Sequence, residues 1–261
     1  MIAHRDIPGV NAYGVVEQDQ PAFAHDRVRF AGEPVAAVAA KDTATAEAAL
    51  KLIRVDYAPL PVVDSPEAAL VEGAPRVHGG GNLLREIHFA RGDAPAASRA
   101  AAHAVEDVHM TPPQMHGFLE TEGGWAEVEP DGTLAVHAGG QHGARDRLQL
   151  ARLLARPEAS IRIVSSPLGG GFGGKDELTV QPALAPLALK TGARVRLQLS
   201  GAESVLAGLK RHPMKLRNAL RLRRARAPDL ARGRSARQRW SLRLARPCRA
   251  GDGAGARSRP L

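Results

Sequence analysis

A single cysteine, Cys248, is the whole thiol content of this 261-residue chain. That excludes an internal disulfide and leaves no cysteine cluster to hold iron–sulfur or zinc. Any electron relay working with this polypeptide must then lie in a partner. Aromatics are scarce as well: five Phe, two Trp and two Tyr. No stretch approaches the roughly 18 apolar residues of a membrane-spanning helix. The N-terminus shows no basic segment followed by an apolar run of secretory type, so the sequence reads as cytoplasmic. Lysine is missing where positive charge is densest. Residues 218–261 hold thirteen arginines, no lysine and two acids (Asp229, Asp252), a net +11, while the preceding 217 residues carry −2. The basicity belongs to the tail, and the near-neutral remainder has no net electrostatic reason to bind nucleic acid. The composition is otherwise globular, with 44% hydrophobic residues and enough chain for one or two domains.

What is abundant is glycine in one place. Ser166-Pro167-Leu168-Gly169-Gly170-Gly171-Phe172-Gly173-Gly174-Lys175-Asp176 follows the alternating run Ile161–Val164, which reads as a strand. Glycines leave backbone N–H groups uncovered by any Cβ, so a phosphate- or oxo-bearing ligand can approach the main chain. Two phosphate loops fit the letters. Gly169 to Lys175 matches G-x-x-x-x-G-K, but Asp176 stands where a P-loop needs Ser or Thr for magnesium. The G-x-G-x-x-G spacing is also met, yet a dinucleotide fold wants an acid roughly 20 residues on, where Arg194 and Arg196 stand. Their own chemistry demotes both readings.

Patterning supplies the rest. Val35–Ala40 reads as a buried strand, Asp42 or Thr43 as the cap of a helix from about Ala44 to Lys51, and Leu52–Tyr57 as a strand broken by Pro59 and Pro61. Gly73, Pro75 and Gly79–Gly81 break any regular pattern in a connector where His78 and His88 read as solvated, and an Ala-rich stretch after Asp93 suits a short helix. Val105–Met110, Leu134–Ala138 and Val195–Leu199 alternate as strands. Arg145–Leu154 reads as an amphipathic helix, and Leu178–Leu189 as a helix whose bounds Pro182 and Pro186 blur.

Several stretches carry a resemblance. GGGFGGK with Asp176, Gln181 and TGARVRL (191–197) resembles the molybdopterin-binding subunits of the xanthine dehydrogenase and aldehyde oxidase family. VRFAGEPVAAVAA (28–40) and AEAALKLIRVDYAPLPVV (46–63) resemble that family's α/β hammerhead domain, and KRHPMK (210–215) also matches. TPPQMHGFLE (111–120) is similar to its TPxQxHxxxE segment, with His116 and Glu120 in the matching places. Their i, i+4 spacing invites a catalytic or metal pair, but the surrounding prolines and glycines argue against a long helix, and the expected role is structural, hydrogen-bonded in the interior near the cofactor. The resemblance covers roughly residues 5–217.

It implies an α+β chain: a partial hammerhead domain (1–70), a connector (71–104), the first part of a molybdopterin-binding domain (105–217) and an Arg-rich tail (218–261) expected to be disordered. Met1 would fall inside the hammerhead domain, and a frameshift or truncation near Asn218 would explain the tail. The implied cofactor is molybdenum–molybdopterin, the cytosine dinucleotide being one form, bound by Gln141, Gly170, Gly171, Phe172, Gly173 and Gly174. Gln141 and Phe172 would sit in the molybdenum environment, and Asp176 where relatives carry a substrate-contacting Glu. The implied activity is hydroxylation of a purine, N-heterocycle or aldehyde carbon with water-derived oxygen. Iron–sulfur and FAD subunits would be the partners and a small molecule the substrate. The catalytic Glu of the family is expected beyond this chain, so no turnover is expected from it alone. A non-catalytic assembly module and a basic-tail nucleic-acid binder are the alternatives.

Overall fold

The computed structural model describes residues 1–14 and 16–222, and the backbone of Arg234–Gln238. The chain divides into two compact units. One combines Met1–Val62 with Met115–Lys210; the other combines Val63–Gln114 with the segment that begins at Arg211.

In the first unit, β1 (Ile2–Ala3) pairs antiparallel with β2 (Ala36–Ala37). The expected strand over Val35–Ala40 is therefore only two residues long. Helix α1 (Thr43–Leu50) forms as read, and Asp42 is its cap, the carboxylate accepting from the Thr45 N–H at 2.7 Å. Leu52–Tyr57 is not a strand. Alternation supplies a face but no hydrogen-bonding partner, and no strand lies alongside it among the described residues.

The centre of this unit is a four-stranded sheet. Its strands are β3 (Gly123–Val128), β4 (Leu134–Ala138), β5 (Ile161–Val164) and β6 (Val195–Gln198), in the order β5-β4-β3-β6. β3 is antiparallel to both of its neighbours, whereas β4 and β5 are parallel. A parallel pair needs a crossover, and α2 (Gly143–Leu154) supplies it. Helix α3 (Gln181–Thr191) returns the chain from β5 to β6. It starts at Gln181 rather than Leu178, because Pro182 fits a first helical turn where its missing N–H costs nothing. Ala126, Leu134, Val136, Leu150, Leu153, Leu184 and Ala188 form one core with Ile2, Phe23 and Ala37 from the first sixty residues. α4 (Gly201–Ala207) closes the unit with a capping box between Ser200 and Glu203.

The stretch before Tyr13 caps α2. Its last turn leaves carbonyls without partners, and the Gly9 and Val10 N–H groups donate to Leu153 O (2.9 Å) and Arg152 O (3.1 Å). A Cβ on Gly9 would lie 2.0 Å from the Arg152 carbonyl oxygen and 2.8 Å from Leu153 O. Both neighbours are backbone and cannot swing aside. Gly9→Ala is expected to lower stability by about 1–3 kcal/mol, the usual range for an overpacked site. A urea midpoint unchanged from the parent would refute this.

In the second unit, a nine-residue strand His103–Thr111 pairs antiparallel with Met214–Leu222, which pairs in turn with Arg234–Gln238. Regular pairing thus runs past Asn218, where strand patterning was expected to stop. Ladder hydrogen bonds come from the backbone and need no alternation in the side chains. The remaining tail residues, with Cys248 and Trp240, lie outside the described residues. Asp93 caps the expected short helix, Ala94–Arg99.

Candidate functional site

Because β4 and β5 run parallel, both carboxyl ends leave the sheet on the same side. One leads through Gly139–Gly140 into Gln141; the other leads into the glycine loop. Ligand sites of open sheets favour this position.

Gln141 is stitched to the loop. Its Oε1 accepts from the Gly173 N–H at 3.1 Å and the Lys175 N–H at 3.3 Å, and its own N–H donates to Lys175 O at 3.0 Å. With Oε1 engaged, the amide NH2 is the remaining polar end of an exposed side chain. The backbone alternates through the loop: Gly170 has φ +107, Phe172 φ +51 and Gly173 φ +84. A phenylalanine in the left-handed region costs roughly 1–2 kcal/mol, and such strain gathers at functional sites. Phe172 is 75% exposed, so packing does not offset that cost. The N–H groups of Gly170, Gly171 and Phe172 donate to nothing among the described residues. Successive free N–H groups on a backbone of alternating hand make an anion-binding concavity.

A second clamp lies beneath. Glu120 accepts from the Gly169 N–H at 2.7 Å through one oxygen and from the Lys175 ammonium at 2.8 Å through the other. Lys175 also donates to Glu120 O at 2.9 Å and lies 4.7 Å above the Phe118 ring. The lysine side chain is 0% exposed and the glutamate 40%. Lys175 is thus consumed inside the protein, which removes the P-loop reading. Its hydrogen bond holds the Glu120 carboxyl below its ordinary range.

Glu120 is therefore hydrogen-bonded, as expected, but is not interior. A carboxylate whose partners are a loop N–H and a buried ammonium needs no further burial. His116 departs further: its Nδ1 is buried without a hydrogen-bond partner among the described residues, packed where a Gly174 Cβ would stand. Asp176 meets a residue the sequence reading passed over, since its Oδ1 lies 2.6 Å from His142 Nε2. Behind them Asp146 is buried, 3.4 Å from Gln181 Nε2. Burial, and then the nearby charge of Glu177, push its carboxyl up to about 6.

Sequence reasoning named Gln141, Gly170–Gly174 and Asp176, which the fold brings to one sheet end, and weighed Lys175 only as a P-loop lysine and as the end of the glycine word. It did not name His142 or Asp146, and neither left a signal.

Among the described residues, no group of three or more His, Cys, Asp and Glu side chains comes together to hold a metal ion. What the loop offers is neutral donors: three backbone N–H groups and an amide. That set fits a group that brings its own metal ligands and presents anionic oxygens.

A family model described as the molybdopterin cofactor-binding domain matches residues 77–224. A second, the a/b hammerhead domain of aldehyde oxidase and xanthine dehydrogenase, matches residues 1–61. The chain is 50% identical over 216 residues to a probable xanthine dehydrogenase subunit of Bacillus subtilis, covering 83% of this chain and 29% of that protein. It is 35% identical over 214 residues to the nicotinate dehydrogenase large molybdopterin subunit of Eubacterium barkeri, 82% of this chain and 50% of that one. The chain thus spans half or less of these two relatives. Among solved structures, quinoline 2-oxidoreductase from Pseudomonas putida 86 aligns with a TM-score of 0.76 at 28% identity, over 85% of this chain and 30% of that one. An aldehyde oxidoreductase from Desulfovibrio gigas aligns with a TM-score of 0.76 at 24% identity, over 85% and 26%, a likeness of fold.

Proposed function

The chain belongs to the molybdopterin cofactor-binding family of aldehyde oxidases and xanthine dehydrogenases, and from this premise we propose that it forms one wall of the cofactor site of a molybdenum hydroxylase. The observation that carries the proposal is the loop's row of unengaged N–H groups beside the Gln141 amide. The cofactor, when bound, supplies the oxygen- and electron-transfer chemistry. The chain's own residues bind and orient it. Gly170, Gly171 and Phe172 donate to its anionic oxygens, and Gln141 adds a neutral donor that fits an oxo ligand or pterin edge. Glu120 and Lys175 hold the loop rigid, so the donors need no rearrangement when charge develops. Asp176 faces the substrate as a hydrogen-bond acceptor.

Electrons must leave such a site, and one cysteine cannot hold a cluster. Iron–sulfur and FAD subunits are accordingly the proposed partners, and a purine, other N-heterocycle or aldehyde the proposed substrate.

The test is to produce the chain where molybdopterin is made, and to measure molybdenum and pterin per folded chain. About one equivalent is expected for the parent. Gln141→Ala is expected to hold at least ~10-fold less, the effect of losing a supporting partner at a metal site. A folded parent chain that carries neither would refute the proposal.

A further inference from the structure

His142 occupies the N-cap of α2, yet its side chain makes no capping hydrogen bond. A cap normally turns back to the helix's first free N–H groups. This imidazole instead reaches across to the residue that ends the glycine loop, its Nε2 lying 2.6 Å from Asp176 Oδ1. The contact extends a zip between two segments, because the preceding residue, Gln141, bonds Lys175 through both its N–H and its Oε1.

Aspartate is one methylene shorter than glutamate and can rotate about only two side-chain bonds. Which way its oxygens point is therefore decided by what holds them. The charges of Glu177 and Asp176 are both felt at the buried Asp146, so like charge opposes a turn of Asp176 toward Asp146. Both side chains of the pair remain partly exposed, His142 at 45% and Asp176 at 40%.

We propose that His142 is a positioning residue for Asp176: it takes up Oδ1 and leaves Oδ2 as the one acceptor presented to a planar substrate carrying a ring N–H. The inference rests on the reading that Asp176 faces the substrate. It adds that the acid is aimed by His142, and that an aldehyde lacking an N–H draws nothing from the pair.

Two measurements test it. In the full chain without cofactor, hydrogen–deuterium exchange is followed at Gly173, Gly174 and Lys175, whose N–H groups are bonded. His142→Ala is expected to speed exchange there at least ~3-fold, as local opening becomes easier, while His142→Gln, which retains an amide donor, stays near the parent. Equal exchange in all three would show that the latch does not hold the loop, and would overturn the proposal. In the molybdenum-loaded chain, Kd values, taken per bound molybdenum, are compared for hypoxanthine, which has ring N–H groups, and benzaldehyde, which has none. His142→Ala is expected to raise the Kd for hypoxanthine about tenfold, the ratio equivalent to a partly exposed charge-assisted hydrogen bond. Its Kd for benzaldehyde should be unchanged, and His142→Gln should restore most of the affinity. Equal Kd changes for both compounds, or none, would overturn the proposal while leaving the cofactor assignment intact. A parent chain devoid of molybdenum would instead remove the reading on which it rests.

Discussion

Replacing Glu120 with alanine is expected to lower the stability of the chain by about 3–5 kcal/mol, the usual cost of stripping a buried charge of its partner. Lys175 is the reason. Its side chain is fully buried, and its ammonium is satisfied by two oxygens of Glu120 at 2.8 and 2.9 Å and by the Phe118 ring face. Alanine keeps the backbone oxygen but deletes the carboxylate. The ring face returns roughly 0.5–2 kcal/mol and cannot make up the difference. The reverse change is milder. In Lys175→Met the buried charge vanishes with its desolvation cost, while Glu120, 40% exposed, stays solvated and keeps its bond from Gly169. About 1–2 kcal/mol is expected there, for the hydrogen bonds lost. The double variant Glu120→Ala/Lys175→Met should therefore be more stable than Glu120→Ala alone. Urea midpoints of the three variants decide the matter, and a Glu120→Ala cost no greater than that of Lys175→Met would refute the asymmetry. The pH dependence has a definite sign. Because the lysine depresses the Glu120 carboxyl, the pair's contribution is complete above the ordinary carboxylate range. It is lost as pH falls through the lowered value.

The same pair shows where the sequence was legible and where it was not. Val195–Gln198 could be read because it alternates buried and more exposed positions, Ile161–Val164 because its apolar residues alternate in sequence, and Leu134–Ala138 because it is a short apolar run, each a local property. Leu52–Tyr57 alternates equally well and forms no strand, since pairing depends on what lies beside it. β3 was not read from the sequence at all. It opens on Gly123-Gly124, where a Cβ on Gly124 would lie 2.3 Å from His137 O, so glycine is what lets the two strands approach. At the site, Gln141 and the glycine loop were named through family resemblance, because both are written as short contiguous words. Lys175 with Glu120, His142 with Asp176, and Asp146 with Gln181 are pairs 55, 34 and 35 residues apart. The cost of burying one member is set by the other, and no local pattern records that.

Asp146 gives the second large effect, through pH. Its side chain is buried, 2% exposed, and its carboxyl titrates near 6 instead of near 3.8. Burial is the first cause and the charge of Glu177 the second; Asp176 also raises it, while the Gln181 amide and His142 pull the other way. The folded chain therefore holds a proton on Asp146 over a range in which the unfolded chain has released it. Stability must fall as pH rises from about 4 to about 6, and then level off at the lower value. The full difference corresponds to roughly 3 kcal/mol. Asp146→Asn has nearly the same shape, carries no charge, and keeps an oxygen to accept from Gln181. The variant should match the parent below about pH 4 and exceed it by up to roughly 3 kcal/mol above pH 6.5. Taking the difference between the two urea curves at each pH cancels the titration of carboxylates that are not coupled to Asp146, Glu120 included, and leaves that of Asp146 with its coupling to Glu177 and Asp176. A difference that stays flat from pH 4 to 7 would mean that Asp146 is ionised in the folded chain across that range. A difference that grows as predicted makes the acid behind the loop a neutral hydrogen-bonding group at the acidic end and a charge at the alkaline end. The electrostatic field behind Asp176 would then change with pH even where the loop's own donors do not.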